Sequence, residues 1–584
     1  MDLHSNASQA PTELTALQRR IRVARGQEPG DLVLTGGRVV NVFTRRVEPA
    51  NVVVADGWIV GAGPFDWPAR QSVALDGRFI LPGFIDAHMH LESTLLTPAE
   101  LARCLVPHGT AAIVSDSHEI GNVLGIPGID LLWTASEGLP LDLYFVASSC
   151  VPATSWEHAG ATLGPAEVRT LLDRPRMLGL AEMMDFPAVL RGDAAVLEKV
   201  QAALDRQQAV DGHAPGMSDR DLQAYVAAGI RSDHESSTVD EARVKAAAGM
   251  LVQVREGSAA RNLDTLLPLL AAGELGDDWC LVTDDVFPND LQAHGHLDGL
   301  LRRVVAGGVD PADAVRHVTL VPARHYGLRD RGAVAPGYRA NLVIVDDVRD
   351  FAVRHVFHQG QYVARDGAYT FEGRSPPVPH GNSVHLGAVS ASAFRLPLRS
   401  ATVPVIRIVP GQIVTRSEMR EVGRADGHWS FDAARDVALI SSLERHRATG
   451  QIGLGLVSGF GLKDGALGSS VAHDSHNLIV AGTNPADMLA CVRSLEASGG
   501  GFVVAAGGQV RASVPLPIAG LLSTESAVAV SRQLQEAHAA ARSLGCDLPA
   551  PFGTLSFLAL PVIPELKITD QGLFDVSKQE FVRL

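Results

Sequence analysis

His88 and His90 stand two apart in the apolar run GFIDAHMHLEST (83–94), and Glu92 follows at once. Side chains alternate along a strand, so positions 88 and 90 point the same way, about 7 Å apart. Neutral imidazole is the commonest nitrogen ligand for ions such as zinc and iron, and the pair reads as half of a metal site. A pair of satisfied histidines at a strand end is the alternative, and the rest of the chain decides between them. Other apolar runs also end in imidazoles and carboxylates. They are AAIVSDSHE (111–119) with Asp116, His118 and Glu119, RMLGLAEMMD (176–185) with Glu182, and AVDGHA (209–214) with His213. GIRSDHES (229–236) adds His234, and CLVTDDVF (280–287) adds Asp284 and Asp285. Imidazoles on several runs together with carboxylates suit one or two divalent transition ions with positions left open for water. Such ions bring the pKa of bound water toward neutrality and make hydroxide available near pH 7.

These ends meet only if the runs are strands of one closed sheet. LDLYFVASS (141–149) and MLVQVREGS (250–258) complete a set of eight, and helical intervals such as AAVLEKVQAALDRQQ and TVDEARVKAAAG separate several of them. This pattern predicts an α/β fold, a (β/α)8 TIM-type barrel over 81–335 with its site at the C-terminal strand ends. An open doubly wound sheet is the structural alternative, but it does not bring eight strand ends to one place. Neither GxGxxG nor GxxxxGK[ST] opens a βα unit here, so no nucleotide cofactor is indicated. Val- and Ile-rich runs with Gly and Asp turns in 31–80 return in 336–385, and read as one small β-sandwich domain that the chain leaves and re-enters. Residues 1–30 form an N-terminal helical segment, in which PTELTALQRRIRVARG reads as a capped helix ending at Gly26. Residues 386–584 mix strands and helices as a C-terminal α/β domain.

A formal charge of −15, from 50 basic and 65 acidic residues, argues against nucleic acid or a polybasic membrane surface as partner. No apolar run is long enough for a transmembrane helix, and the polar N-terminus lacks a signal peptide's apolar core. The five cysteines form no CxxC or similar pair, which fits a reducing cytoplasm and no disulfide framework.

At a finer grain, LPGFIDAHMHLESTLLTP, SDSHEIGNVLG, GLAEMMDFPAV, DGHAPG, SDHES, REGSAARNL and VTDDVFPNDL carry a resemblance, joined by VAHDSHNLIVAGTN near the C-terminus. The chain is similar to the amidohydrolase superfamily and, more narrowly, resembles the bacterial adenine deaminases over nearly its whole length. The resemblance implies hydrolysis of adenine to hypoxanthine and ammonia in purine salvage. It implies two divalent ions (Mn, Fe or Zn), with His88, His90 and Asp284 around one and His213 and His234 around the other. Glu182 would bridge them in place of the carboxylated lysine of many relatives. RMLGLAEMMD has no lysine, so the hydantoinase pattern does not fit. Asp284 would also orient the attacking hydroxide, and Asp285 would meet a purine ring nitrogen or, alternatively, stand as a solvated loop acid. Glu119 is the expected general acid/base, a poorly solvated carboxyl that gives protons to N1 and to the leaving amine. Asp116 and His118 would orient Glu119 or the ring.

Other residues stay open at this point. Arg255, with Ser258, either touches substrate or holds its loop, and Glu92 is read as a brace for a histidine ligand. His294 and His296 are read as loop residues. His473 and His476 of HDSHN lie outside the barrel and either cap the active site or support a domain interface. The expected partner is a small purine, and the expected assembly a homo-oligomer. A deacetylase of an N-acetyl amino sugar phosphate and a non-catalytic scaffold are the other readings. The HxE and PCxxC signature of cytidine-type deaminases is absent.

Overall fold

The computed structural model describes residues 13–373, 376–379 and 381–584. Contacts divide the chain into two compact units. One takes residues up to Ile85, Val106–Ala112 and Leu297–Glu372; the other takes Asp86–Leu105, Ile113–His296 and Gly373–Leu584.

In the first unit the two flanking β-rich pieces do come together. Gly30–Asn41, Arg46–Ala55 and Trp58–Gly63 pair antiparallel in sequence. Phe79–Pro82 then pairs in parallel with Gly30–Asn41 and antiparallel with Leu342–Val345, which continues to Val353–His358 and Gln361–Arg365. Because Phe79–Pro82 pairs on both sides, hydrogen bonding makes one nine-stranded sheet instead of the two facing sheets expected of a sandwich. Alternation sends Leu32, Leu34, Val52 and Val54 to one face with Ile80, Leu342 and Phe357. Val33, Val53 and Ala55 face the other way, against Val23 of the helix Glu13–Ala24. The cap residues expected for that helix, Pro11 and Thr12, lie outside the described residues.

The metal-type residues of the second unit lie on or just beyond eight short strands. These strands are β1 (Phe84–Met89), β2 (Thr110–Asp116), β3 (Asp142–Ala147), β4 (Met177–Met183), β5 (Ala209–Gly212), β6 (Ser232–Asp233), β7 (Leu251–Arg255) and β8 (Trp279–Val282). β1 to β5 form one sheet in sequence order, and β6 to β8 another. Arg231 N–H donates to Val210 O (3.0 Å) at the gap between them. At the other edge Asp284 N–H donates to His88 O (3.0 Å) and His90 N–H to Asp284 O (3.1 Å). This is the strand order of a TIM-type barrel, in which side chains from different strand ends converge. The strands fall where expected but several are shorter than their apolar runs, Ser232–Asp233 within 229–236 and Leu251–Arg255 within 250–258, and one run changes element. β2 stops at Asp116, and His118–Leu124 is a helix with Ile120 and Val123 buried at i, i+3 spacing. His118 and Glu119 therefore project from a first helical turn and not from the strand itself.

The C-terminal part of this unit, expected as α/β, is built on a mostly antiparallel eight-stranded sheet between Thr402 and Pro515. Helix Pro485–Ser498 packs Met488, Cys491, Val492 and Leu495 onto Leu439, Leu456, Leu478 and Val480 of that sheet. Helices Ala527–Ser543 and Pro551–Phe557 follow, then a small three-stranded sheet. All five cysteines are free thiols. No helix among the described residues is long and apolar enough to cross a membrane.

Candidate active site

Glu182, at the end of β4, lies among four imidazoles. Its Oε1 faces His90 Nε2 at 3.2 Å and His88 Nε2 at 3.8 Å, both from β1 and its end. Its Oε2 accepts from His213 Nδ1 at 2.8 Å and faces His234 Nε2 at 3.3 Å, from the ends of β5 and β6. Asp284, beyond β8, adds Oδ1 at 3.3 Å from His88 Nε2 and 3.0 Å from His90 Nε2. All six side chains are buried. Asp284 has a left-handed backbone (φ 58°), which an aspartate tolerates better than most residues, and its pair of main-chain bonds to His88 and His90 holds it there.

This donor set fits divalent cations. His90 Nδ1 lies 3.2 Å from Asp116 O, a group that only accepts, so the hydrogen of a neutral ring sits on Nδ1. The Nε2 lone pair then points at two carboxylate oxygens, an arrangement that is repulsive without positive charge among them. Donation of the far ring nitrogen to a carbonyl is also how metal-binding histidines are oriented. His88 Nε2, His213 Nε2 and His234 Nδ1 are buried and complete no hydrogen bond among the described residues. Ligand-capable atoms of His88, His90 and Asp284 lie within 4.8 Å of one another, as do those of His88, Glu182 and His234 and those of His213, His234 and Glu235. Burial alone would push Glu182 and Asp284 up, but the surrounding imidazoles hold both carboxyls well below the ordinary range. Burial opposes the charged form of His90, yet Asp284 and Glu182 raise it well above the ordinary value.

Arg255, at the end of β7, is committed to this ring of charge. Its guanidinium meets both oxygens of Glu235 and donates from Nη1 to Asp284 Oδ2 at 2.9 Å. Glu235 in turn lies 3.4 Å from His234 Nε2 and 3.6 Å from His213 Nδ1. Arg255 thus ties Asp284, on one side of the ring, to the His213–His234 side.

A second cluster adjoins the first. Ser93 Oγ is within hydrogen-bond reach of Glu119 Oε1 (2.9 Å) and of Asp285 Oδ1. A hydroxyl has one proton to donate, so both contacts are hydrogen bonds only if one carboxyl is itself protonated. Burial raises Glu119, with Asp285 adding to the rise and His473 opposing it, and this favours Glu119 as the carboxyl that keeps the proton. His473 Nδ1 stands 3.5 Å from Glu119 Oε1, and His476 Nε2 4.0 Å from Glu119 Oε2. Asp116 Oδ2 is 2.8 Å from His118 Nδ1, and Asp474 Oδ1 is 3.6 Å from the other ring nitrogen of His118. Ser93, Asp285 and His473 border a narrow, largely enclosed cavity whose apolar walls include Phe287, Phe502, Phe552 and Phe557.

The remaining expected residues fall elsewhere. Glu92 does not brace a histidine; its Oε1 accepts from Ile120 N–H (3.1 Å) and anchors the helix that carries Glu119. Ser258 Oγ accepts from Phe287 N–H (2.8 Å) and donates to Asp290, so it holds its loop. His294 is exposed at the end of a helix, whereas His296 is buried with Nε2 3.1 Å from Asp86 Oδ2 beneath the strand ends. Three residues at the site escaped sequence reasoning: Ser93, Glu235 and Asp474. A carboxylate directly after His234 was a usable signal for Glu235. Nothing in the barrel pattern pointed to Asp474, nearly 200 residues beyond β8.

Residues 79–363 match the amidohydrolase family, and residues 412–580 match the adenine deaminase C-terminal domain. The chain is 46% identical over 561 residues to an adenine deaminase of Methanothrix thermoacetophila, covering 96% of this chain and 97% of that one. It is 46% identical over 567 residues to an adenine deaminase of Nitratidesulfovibrio vulgaris, covering 96% and 97%. With an adenine deaminase of Desulfatibacillum aliphaticivorans the identity is 44% over 565 residues, covering 97% and 99%.

Proposed function

The chain belongs to the adenine deaminase family of amidohydrolases, and we propose how its own residues hydrolyse adenine to hypoxanthine and ammonia. The observation that carries this reading is the Glu119–Ser93–Asp285 line, two carboxyls sharing one hydroxyl beside the imidazole–carboxylate ring. A purine losing its 6-amino group needs a proton at N1 and another at the departing nitrogen, and this line holds groups suited to both tasks.

His88, His90 and Asp284 would hold one divalent ion and His213 and His234 a second, with Glu182 contributing one oxygen to each. When bound, manganese, iron or zinc acidifies water and so supplies a nucleophile near neutral pH. Glu119 gives its proton to N1 as the water oxygen adds to C6. The resulting carboxylate takes the proton of the new C6 hydroxyl and passes it to the amine, the C6–N6 bond breaks as C6=O forms, and ammonia leaves. The proton released by the next incoming water restores Glu119. Asp285 hydrogen-bonds a second ring nitrogen. Asp284 orients the attacking oxygen, and Arg255 fixes Asp284 from behind. Asp116 and His118 act as a pair that holds the helix turn bearing Glu119.

At the level of domains, the reading keeps a helical segment at 1–30, a small β domain from 31–80 and 336–385, a barrel at 81–335 and a C-terminal domain at 386–584. The separate family matches over 79–363 and 412–580 support that division. A cytoplasmic homo-oligomer acting on the free purine, without nucleic acid or membrane, completes the proposal. The test is incubation of metal-reconstituted protein with adenine and, separately, with N-acetylglucosamine 6-phosphate. Loss of adenine absorbance with release of ammonia is the expected result, and turnover of the sugar alone overturns it.

A further inference from the structure

The HDSHN segment belongs to neither barrel nor metal-type ring, yet two of its side chains end at Glu119, the group assigned to proton transfer, and a third at its neighbour His118. We propose that His473, delivered by the C-terminal region, is a positioning residue for Glu119, so that the deaminase site is incomplete without residues 473–476. The inference rests on the adenine reading above and goes beyond it by giving the C-terminal region a role in the chemistry.

Geometry carries the argument. His473 is pinned as a flat plate, stacked on Phe557 with ring centroids 4.4 Å apart and planes 16° apart. That stacking leaves Nδ1 directed at the carboxyl oxygens, 3.5 Å from Glu119 Oε1 and 3.6 Å from Asp474 Oδ1. His476 approaches the other oxygen. Its Nδ1 accepts from Ala472 N–H (3.2 Å), so the ring hydrogen sits on Nε2, the nitrogen that faces Glu119 Oε2. A nitrogen bearing hydrogen is no metal ligand, which reads this group as a cradle for a carboxyl and not as another ion site. Asp474 extends the contact to His118, the neighbour of Glu119 on the same helical turn.

The charges around Glu119 give the cradle its consequence. Glu92 and Ser93 face it from the segment after β1, Asp285 from the loop after β8, and His118 from its own helix. His90 interacts with it from the ring, and His473 and His476 close the side toward the C-terminal region. Among these, burial raises Glu119 most and His473 opposes it most, while His473 itself is pushed up to about 9 by the acids around it despite its burial. A cationic ring there keeps Glu119 from becoming too weak an acid to protonate N1, since proton transfer slows when the donor holds its proton too tightly.

The experiment compares two variants of the metal-reconstituted full chain. His473→Phe keeps a ring to stack on Phe557 and removes the donor; His473→Asn places a neutral amide donor near the position of Nδ1. The phenylalanine variant is expected to lose about 10–100-fold in kcat on adenine, the order of effect of one facing charge on a buried carboxyl, with KM changing far less. Its high-pH limb should move upward, because Glu119 no longer feels the imidazolium. His473→Asn should recover part of kcat and leave that limb displaced. Bound metal and the thermal midpoint should stay at wild-type values in both. Wild-type kcat and an unmoved limb in His473→Phe overturn the inference, and so does a loss of rate that only tracks loss of metal or of thermal stability. Wild-type protein that leaves adenine untouched sinks the parent reading, a result distinguishable from an unaffected variant beside an active wild type.

Discussion

Glu182 turns Oε1 toward His90 Nε2 at 3.2 Å while its other oxygen accepts from His213. The two oxygens of one carboxylate thus serve opposite sides of the ring, the arrangement a bridging ligand requires. Glu182→Gln keeps the volume but leaves one side with an amide nitrogen, which donates and cannot coordinate. Metal content and adenine turnover should fall together. Elemental analysis checks this, with two ions per chain expected for the wild type. A stoichiometry of one at full wild-type activity contradicts the two-ion arrangement.

The parts of this site that were legible from the sequence share a physical cause. His88, His90, Glu182, His213 and His234 sit on or directly beyond strands, and a strand's alternation and its C-terminal end show in the chain itself. Glu119 and His118 were found as residues but misplaced by one element, because SDSHE continues an apolar run whose switch to helix leaves little local mark. Arg255 was legible as a residue at the end of β7, but its commitment to Glu235 and Asp284 depends on which strand ends meet. His473, Asp474 and His476 come from a region with its own antiparallel sheet and core. Their approach to Glu119 is long-range packing, and no periodicity in the barrel encodes it.

Ser93→Ala tests the shared proton. Removing the hydroxyl leaves Glu119 and Asp285 without their common partner, both beside a buried cavity. The loss of a charge-assisted hydrogen bond predicts a fall in kcat/KM of about 10–100-fold with both metals retained. Steady-state kinetics with metal analysis checks it. Unchanged kcat/KM would show that the two carboxyls act independently.

Lys245→Met tests the scaffold behind the ring. Lys245 Nζ is fully buried, 2.7 Å from Asp233 Oδ2 and 2.8 Å from both Glu241 Oε1 and Ala214 O. Asp233 Oδ1 accepts from Ala214 N–H at 2.9 Å, so the pair ties the loops beside His213 and His234. Leaving the Asp233 carboxylate buried without its cation is expected to cost about 3–5 kcal/mol. The sign with pH follows from Asp233. Burial pushes its pKa up, but Lys245 and His234 bring it below the ordinary value in the folded chain. Its contribution is present above the unfolded value of about 3.9 and is lost as pH falls through the lower folded value. The deficit of the variant should therefore be largest near neutrality and shrink in acid. Denaturant titrations at several pH values check this, and an equal deficit at every pH counts against it.

Glu119→Gln separates proton transfer from metal binding. The amide fills the same space, and Ser93 keeps a hydrogen-bonding partner at Oε1. Both metals and adenine binding should survive, while turnover falls by about 10²–10⁴-fold, the range for a positioned general acid/base. The pH dependence carries the sharper signature. Burial raises the pKa of Glu119, and the protonated form is the one that can give a proton to N1. Activity in kcat/KM is then present below that raised value and lost as pH rises through it. The glutamine variant, with nothing to titrate there, should lose this high-pH limb while its residual activity persists into alkaline solution. Rate profiles of wild type and variant at matched metal content decide the matter. Near-normal turnover in Glu119→Gln would remove it from the chemistry and leave His118, held between Asp116 and Asp474, as the next group to examine.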